Sequence, residues 1–276
     1  MSDNGPKALI VRPTTGLQQH GFGVEKVLSR IVSDALTIVR GREVADTSAR
    51  IRIGKDEFRE QDYQQILIWA DATERTPEEL VSLLAEVSSS FLVENGSIKR
   101  VAFPKFILKA EKENQPTKLD LSNVPALIAL GCVENRLTEL GLSNVPALTY
   151  LSCRGNQLTE LNVSNVPALT ELWCGNNHLT ELDLSNVPAL TGLNCWENQL
   201  TELDLSNVPA LTSLNFWENQ LTELDLSNVP ALIELSCKKN KIRELDVRGN
   251  PNLKVLECDP WVRIIKHELQ SFSDAF

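Results

Sequence analysis

The chain lacks a surplus of positive charge. It carries 27 Lys and Arg against 37 Asp and Glu, a formal net charge of −10 with a pI near 4.9. That balance offers no basic stripe to a nucleic acid or an anionic membrane, so neither is expected as a partner. No apolar run approaches the roughly 18 residues of a membrane-spanning helix. The first residues, MSDNGPKALIVRPTTG, hold only a short apolar run and lack the core of a secretory signal. A cytoplasmic protein is therefore expected, with secretion by a route without a classical signal as the alternative. The three histidines, His20, His178 and His267, share no motif, and neither GxxxxGK[ST] nor GxGxxG occurs. No catalytic residue, metal or cofactor is expected. What remains is 276 residues with 42% hydrophobic and 23% charged content, the makeup of a soluble globular protein of one large or two ordinary domains.

From Pro116 onward the chain returns to itself every 21 residues. LTELDLSNVPALTGLNCWENQ (179–199) is followed by LTELDLSNVPALTSLNFWENQ (200–220) and LTELDLSNVPALIELSCKKNK (221–241). The first unit (116–136) begins with Pro116 where the others carry an aliphatic residue, and the last (242–262) decays. Each unit combines LxxLxCxxNxL with LxxLxLSNVPA. A coil this short has no room for a three-turn helix beside a strand, so both halves should be extended and joined by tight turns. Leucines of successive coils then stack into a core that no single unit could bury. The double motif resembles the leucine-rich-repeat family in its short bacterial form, over 116–262. The resemblance implies a solenoid, protein–protein recognition as its usual work, and a bacterial source. The expected fold is a small α/β domain (1–112) followed by a mostly-β leucine-rich-repeat solenoid (113–276) of seven units with a C-terminal cap.

All six cysteines, Cys132, Cys153, Cys174, Cys195, Cys237 and Cys258, occupy one repeat position, and Phe216 fills the gap in the series. Zinc sites gather four ligands round a point, which a straight ladder does not do. Rungs about 4.8 Å apart with parallel side chains are also a poor start for disulfides. Phe216 shows that the slot takes any apolar group, so buried free thiols are expected, as suits a reducing compartment. Asn135, Asn156, Asn177, Asn198, Asn219 and Asn240 form a second ladder, whose amides can satisfy backbone groups turned inward by the turns. The other half-motif has Val124, Val145, Val166, Val187, Val208 and Val229 at the matching place, with an amide only at Asn250. That turn is expected to be packed rather than hydrogen-bonded.

The LTELDLSNVPA half barely varies. Its outward row, Glu139, Glu160, Glu181, Glu202, Glu223 and Glu244 beside Asp183, Asp204, Asp225 and Asp246, reads as a solvated face that blunts edge pairing. The alternative is a stripe for cations or a basic partner. The other half varies at outward positions, and three of the five tryptophans fall there: Trp173, Trp196 and Trp217. With Tyr150, Arg154, Asn194, Glu197, Asn215, Glu218 and Lys238 they make the candidate partner-binding face. Trp196 and Trp217, one coil apart, should be adjacent. Changing both to alanine is expected to abolish partner binding with little effect on thermal unfolding. At the end, Trp261 replaces the ladder asparagine, and VRIIKHELQ (262–270) is expected to fold over the last coil.

The first 115 residues resemble no family. ALIV (8–11), ARIRI (49–53), ILIW (66–69) and IKRVAFPKFIL (98–108) read as strands. A helical stripe runs through Val24, Val27, Leu28, Ile31 and Val32. A second, through Leu80, Leu83, Leu84, Val87 and Phe91, follows a capping box at Thr76 and Glu79. PTTGLQQHGFG (13–23), between a strand and a helix, and Asp71, after ILIWA, are the places where phosphate binding or a functional carboxylate would sit. A flexible connection and a turn-forming aspartate are the commoner readings. The rival function is thus an enzyme or nucleotide-binding signalling domain carried by the repeats. A secreted effector or adhesin is the third.

Overall fold

A computed structural model of the chain describes residues 9–10, 50–53, 56–72, 75–86, 91–95, 97–103 and 117–274. Seven repeats each place a three-residue strand on one side of the coil. These are Ala129–Gly131, Tyr150–Ser152, Glu171–Trp173, Gly192–Asn194, Ser213–Asn215, Glu234–Ser236 and Val255–Glu257. They pair in parallel, and the period of the sequence sets the register. Leu130, Leu151, Leu172, Leu193, Leu214, Leu235 and Leu256 stand directly above one another. The leucines and cysteines between the outward positions point inward. Cys132, Cys153, Cys174, Cys195 and Phe216 are wholly buried, and none of the six cysteines is in a disulfide.

The LTELDL side is looser than the sequence suggests. Strand pairing occurs there only at the ends, between Lys118–Leu119 and Glu139–Leu140 and between Glu244–Asp246 and Arg263–Ile265. In the middle coils the backbone turns on itself instead. Val187 donates to the Leu184 carbonyl at 3.3 Å and Leu190 to the Val187 carbonyl at 3.0 Å, a pattern repeated at Val208 and Leu211. The valines of these turns are fully buried, so this corner is packed as expected, but it is hydrogen-bonded too, through its own backbone rather than through a side-chain amide. Asn250, where the amide returns, donates to the carbonyls of Leu226 and Val229 at 3.1 and 2.9 Å.

The asparagine ladder satisfies the opposite corner. Asn198 accepts from the Leu179 N–H at 3.0 Å and donates to the carbonyls of Cys174 and Cys195, both at 3.1 Å. Asn156, Asn177, Asn219 and Asn240 repeat this arrangement one coil apart. Asn135 differs: its carbonyl oxygen is buried without a donor. The donor's place, 19 residues before the asparagine as Leu179 is before Asn198, is taken by Pro116, which has no N–H to give.

Among the described residues of the first half there are two helices, α1 (Glu60–Ala72) and α2 (Pro77–Glu86). ILIW is part of α1, not a strand. Its buried positions are Asp62, Gln65, Ile66, Trp69 and Ala70, a helical period that two polar members hide from a hydrophobicity reading. Asp71 consequently lies in the last turn of a helix rather than at a strand end. The capping box of α2 is formed, with the Glu79 carboxylate accepting from the Thr76 N–H at 2.9 Å and the Thr76 hydroxyl from the Glu79 N–H at 3.2 Å. Of its expected stripe, Val87 lies outside the described residues, and Phe91 opens the strand Phe91–Glu94 rather than continuing the helix. ARIRI forms the strand Arg50–Ile53, paired in parallel with Leu9–Ile10. The stripe at 24–32, the segment 13–23 and the junction at 112/113 lie outside the described residues.

This half is joined to the repeats through backbone and core. The strand Ser97–Ala102 pairs in parallel with Ala129–Gly131, so the solenoid sheet runs on past the first repeat. From α1, Gln65 and Trp69 both donate to the Asp120 carbonyl, at 2.9 and 2.7 Å, and Gln65 accepts from the Asn123 N–H at 2.8 Å. The Trp69 ring meets Phe103 edge-on at 5.1 Å. These contacts cover the first coil, where an exposed core would otherwise meet water. At the other end, Arg263–Ile265 and Ser273–Asp274 add a partial coil, and Gln270 donates to the carbonyls of Val247 and Asn250, both at 2.9 Å. The terminal segment thus lies on the last coil as expected, but Trp261 does not serve as its lid: it is 56% exposed. Asp259 meets the turn instead, accepting from the Lys239 N–H at 2.7 Å.

Candidate interaction face

Strand alternation puts the varied residues on the outer surface of the paired sheet. One row runs Tyr150, Glu171, Gly192, Ser213, Glu234, and the next Ser152, Trp173, Asn194, Asn215, Ser236, all in register. Past the cysteine follow Arg154, Gly175, Trp196, Trp217 and Lys238. The residue after these turns the chain inward and is left-handed in the first six coils: Glu134, Gly155, Asn176, Glu197, Glu218 and Lys239 have φ of 52°, 71°, 53°, 47°, 58° and 55°. Only the glycine and the asparagine announce that conformation by residue type. Elsewhere the ladder bonds hold it against a cost of about 1–2 kcal/mol.

The predicted residues are gathered on this face, with unequal exposure. Tyr150 and Trp173 are each 39% exposed. Arg154 is exposed and faces the Glu134 carboxylate at 3.8 Å. Trp196 and Trp217 are adjacent, their ring centroids 5.8 Å apart and tilted by 40°, but both are half-buried. Trp196 leans along the coil axis over Gly175, where a Cβ would collide with its indole. On the far side of the pair, the Lys239 ammonium sits 4.2 Å from the Trp217 ring and 2.8 Å from the Glu218 carboxylate. The pair therefore forms a braced ridge with its ring faces largely covered. Asn215 accepts from the Trp217 N–H at 3.1 Å, which shapes the ridge, whereas the buried carbonyl oxygen of Asn194 has no donor. Glu197, Glu218 and Lys238 are half-buried.

Glu171, Gly175 and Lys239 belong to this surface as well. Glu171 folds over Gly192 and accepts from the Trp173 indole N–H at 3.3 Å and from the Thr191 hydroxyl at 3.4 Å. In the sequence, the sign of both contacts is a glycine one coil away from a large residue.

The acidic side forms a groove of about 1190 Å³ lined by Glu160, Glu181, Asp183, Glu202, Asp204 and Glu223 among others. Its aspartates are turn formers. Asp183, Asp204 and Asp225 accept from the N–H of Ser185, Ser206 and Ser227, each at 2.8 Å, and those bonds hold their carboxyls below the usual range. No group of three or more ligating side chains suited to a metal occurs among the described residues. The buried thiols are poor nucleophiles: burial pushes Cys153, Cys195 and Cys237 up to about 12 and raises Cys132 and Cys174 as well.

Residues 116–262 form a leucine-rich-repeat solenoid. A family profile described as leucine-rich repeats in two copies matches residues 146–186. Among solved structures, the functional domain of InlJ from Listeria monocytogenes, described as including a cysteine ladder, is 35% identical with a TM-score of 0.52. The match covers 56% of this chain and 34% of that one. The leucine-rich-repeat protein LIC12759 of Leptospira interrogans is 25% identical with a TM-score of 0.50, over 54% of this chain and 41% of that one. The chain thus spans well under half the length of these relatives. No curated protein matches it. Solenoids of this family are typically protein-interaction modules without enzymatic activity.

Proposed function

We propose that this chain binds another protein through the outer surface of its paired sheet. The residues are Tyr150, Arg154, Trp173, Asn194, Trp196, Glu197, Asn215, Trp217, Glu218 and Lys238. The observation that carries the reading is the exposure of Tyr150 and Trp173, both 39%, on the side where the repeats differ from one another. Exposed aromatic rings on a rigid sheet supply contact area at small entropic cost, the makeup of binding hot spots. The braced tryptophan ridge supplies a fixed wall beside them. A stack of six cysteines with no disulfide among them supports a reducing, cytoplasmic setting.

The test is capture of the partner by the full chain from cells of the native organism, followed by titration of the purified partner. Tyr150→Ala with Trp173→Ala should weaken binding at least tenfold at an unchanged unfolding temperature, while Glu181→Gln with Glu202→Gln on the acidic side should not. The opposite pattern would move the site to the acidic groove.

A further inference from the structure

The nature of the partner's contact follows from the same face, and this step rests on the reading just given. We propose that the saddle between Glu171 and Glu234, beside Trp173, receives an arginine or lysine side chain from a basic segment of the partner protein.

In register, Glu171, Gly192, Ser213 and Glu234 occupy four successive strands, so the two glutamates stand about 14 Å apart at ordinary strand spacing. Gly192 lets the Glu171 carboxylate lie down over it, and Ser213 keeps the ground low from there to Glu234. The adjoining row of Trp173, Asn194, Asn215 and Ser236 adds the exposed indole of Trp173. No cationic side chain among the described residues pairs with Glu171, Glu197 or Glu234; the ion pairs of this face are Arg154 with Glu134 and Lys239 with Glu218. Glu171 is met only by two long, neutral hydrogen bonds, at 3.3 and 3.4 Å. The saddle is thus rich in acceptors and aromatic surface, and a group that only donates and carries positive charge complements it.

The protein contains its own instance of this recognition. Lys239 lies over the Trp217 ring at 4.2 Å while pairing with Glu218 at 2.8 Å. Trp173 with Glu171 repeats the combination of indole and carboxylate two coils earlier, and no lysine or arginine among the described residues reaches it. An acidic partner segment would meet like charge here, in a chain whose net charge is already −10.

The probe is a short synthetic peptide of alternating arginine and glycine, compared with its citrulline counterpart, which keeps the shape and loses the charge. Titration into the full chain at physiological salt is followed by indole fluorescence. The arginine peptide should bind saturably and at least tenfold more tightly than the citrulline peptide. Glu171→Gln with Glu234→Gln should remove most of that difference, and Glu181→Gln with Glu202→Gln on the opposite side should leave it intact. Failure of the arginine peptide to bind, equal binding of both peptides, or an equal loss from the opposite-side variant would overturn the proposal. A natural partner that needs Tyr150 and Trp173 but ignores Glu171→Gln with Glu234→Gln would overturn it while leaving the aromatic face in place. A partner indifferent to all four residues would remove both.

Discussion

Replacing Asn198 by alanine should be among the costliest single changes in the solenoid. Asn198 is only 8% exposed, and its side chain serves four backbone groups, of which the Trp196 carbonyl also has a second donor in the Asn176 N–H. It accepts from Leu179 N–H at 3.0 Å and donates to the Cys174 and Cys195 carbonyls at 3.1 Å. Alanine leaves those three groups short of a partner in a corner lined by leucine and cysteine. A buried polar group without its partner costs roughly 1–3 kcal/mol, so the variant should lose about 3–5 kcal/mol once some water enters the space. The first rung provides the internal control. Asn135 is equally buried, at 6% exposure, yet among the described residues it makes one bond, to the Val133 carbonyl at 3.1 Å. Its carbonyl oxygen has no donor. Asn135→Ala should therefore cost only about 1 kcal/mol. Equilibrium urea unfolding of both variants, followed by far-ultraviolet circular dichroism, gives the comparison. Equal losses would show that the asparagines matter for the volume they fill, and the backbone argument would fail.

Two further outcomes follow from the core and the ridge. Burial raises the thiols of Cys153, Cys195 and Cys237 to about 12 from an ordinary 9.0, so the folded state holds these protons more tightly than the unfolded chain. Their contribution is complete below pH 9 and is lost as pH rises toward 12. Urea midpoints should fall over that window, while half-buried Cys258 should be the first thiol to react with a disulfide reagent at about pH 8. A flat alkaline profile would count against buried thiols. Gly175→Ala places a methyl against the Trp196 indole; near-ultraviolet circular dichroism should change as the ring pair separates, with a stability loss of about 1 kcal/mol. An unaltered spectrum would mean that the ring does not rest there.

Most of the solenoid is legible in the repeat alone. A period of 21 residues fixes which side chains lie above one another, and the exchange of Cys195 for Phe216 one coil later marks the thiol slot as apolar. What stays hidden is whatever depends on how a side chain leans from one coil to the next. Alternation puts Trp196 and Trp217 outside the core, but it says nothing about Gly175, which lets Trp196 lie down along the axis. The half-burial of the pair is a property of three coils, not of one strand. The left-handed turn is concealed for a related reason: Glu197 and Glu218 are poor residues for that backbone, and the ladder asparagine one position on holds them in it. In α1 the signal fails differently. Asp62 and Gln65 lie in the buried stripe because they bond to the backbone of Ile98, Asp120 and Asn123, partners far along the chain.

These constraints explain why one half of each repeat is copied and the other is free. In LTELDLSNVPA nearly every residue is committed to the fold. Leucines fill the core, valine packs the corner, and aspartate bonds to the serine N–H that turns the chain. A change there is felt at once in folding. On the strand side only the leucine, the thiol slot and the asparagine are so bound, and the strands pair through backbone whatever stands on their outer surface. Tyr150, Glu171, Gly192, Ser213 and Glu234 occupy one and the same repeat position, yet range from glycine to tyrosine in size and from neutral to negative in charge. A surface that can vary without unfolding the protein is one on which recognition can be altered alone. Trp196 and Trp217 are the exceptions, having given up part of that freedom to each other, to Gly175 and to Lys239. Their bracing makes the ridge a fixed element of the face proposed for binding, beside the more exposed Tyr150 and Trp173.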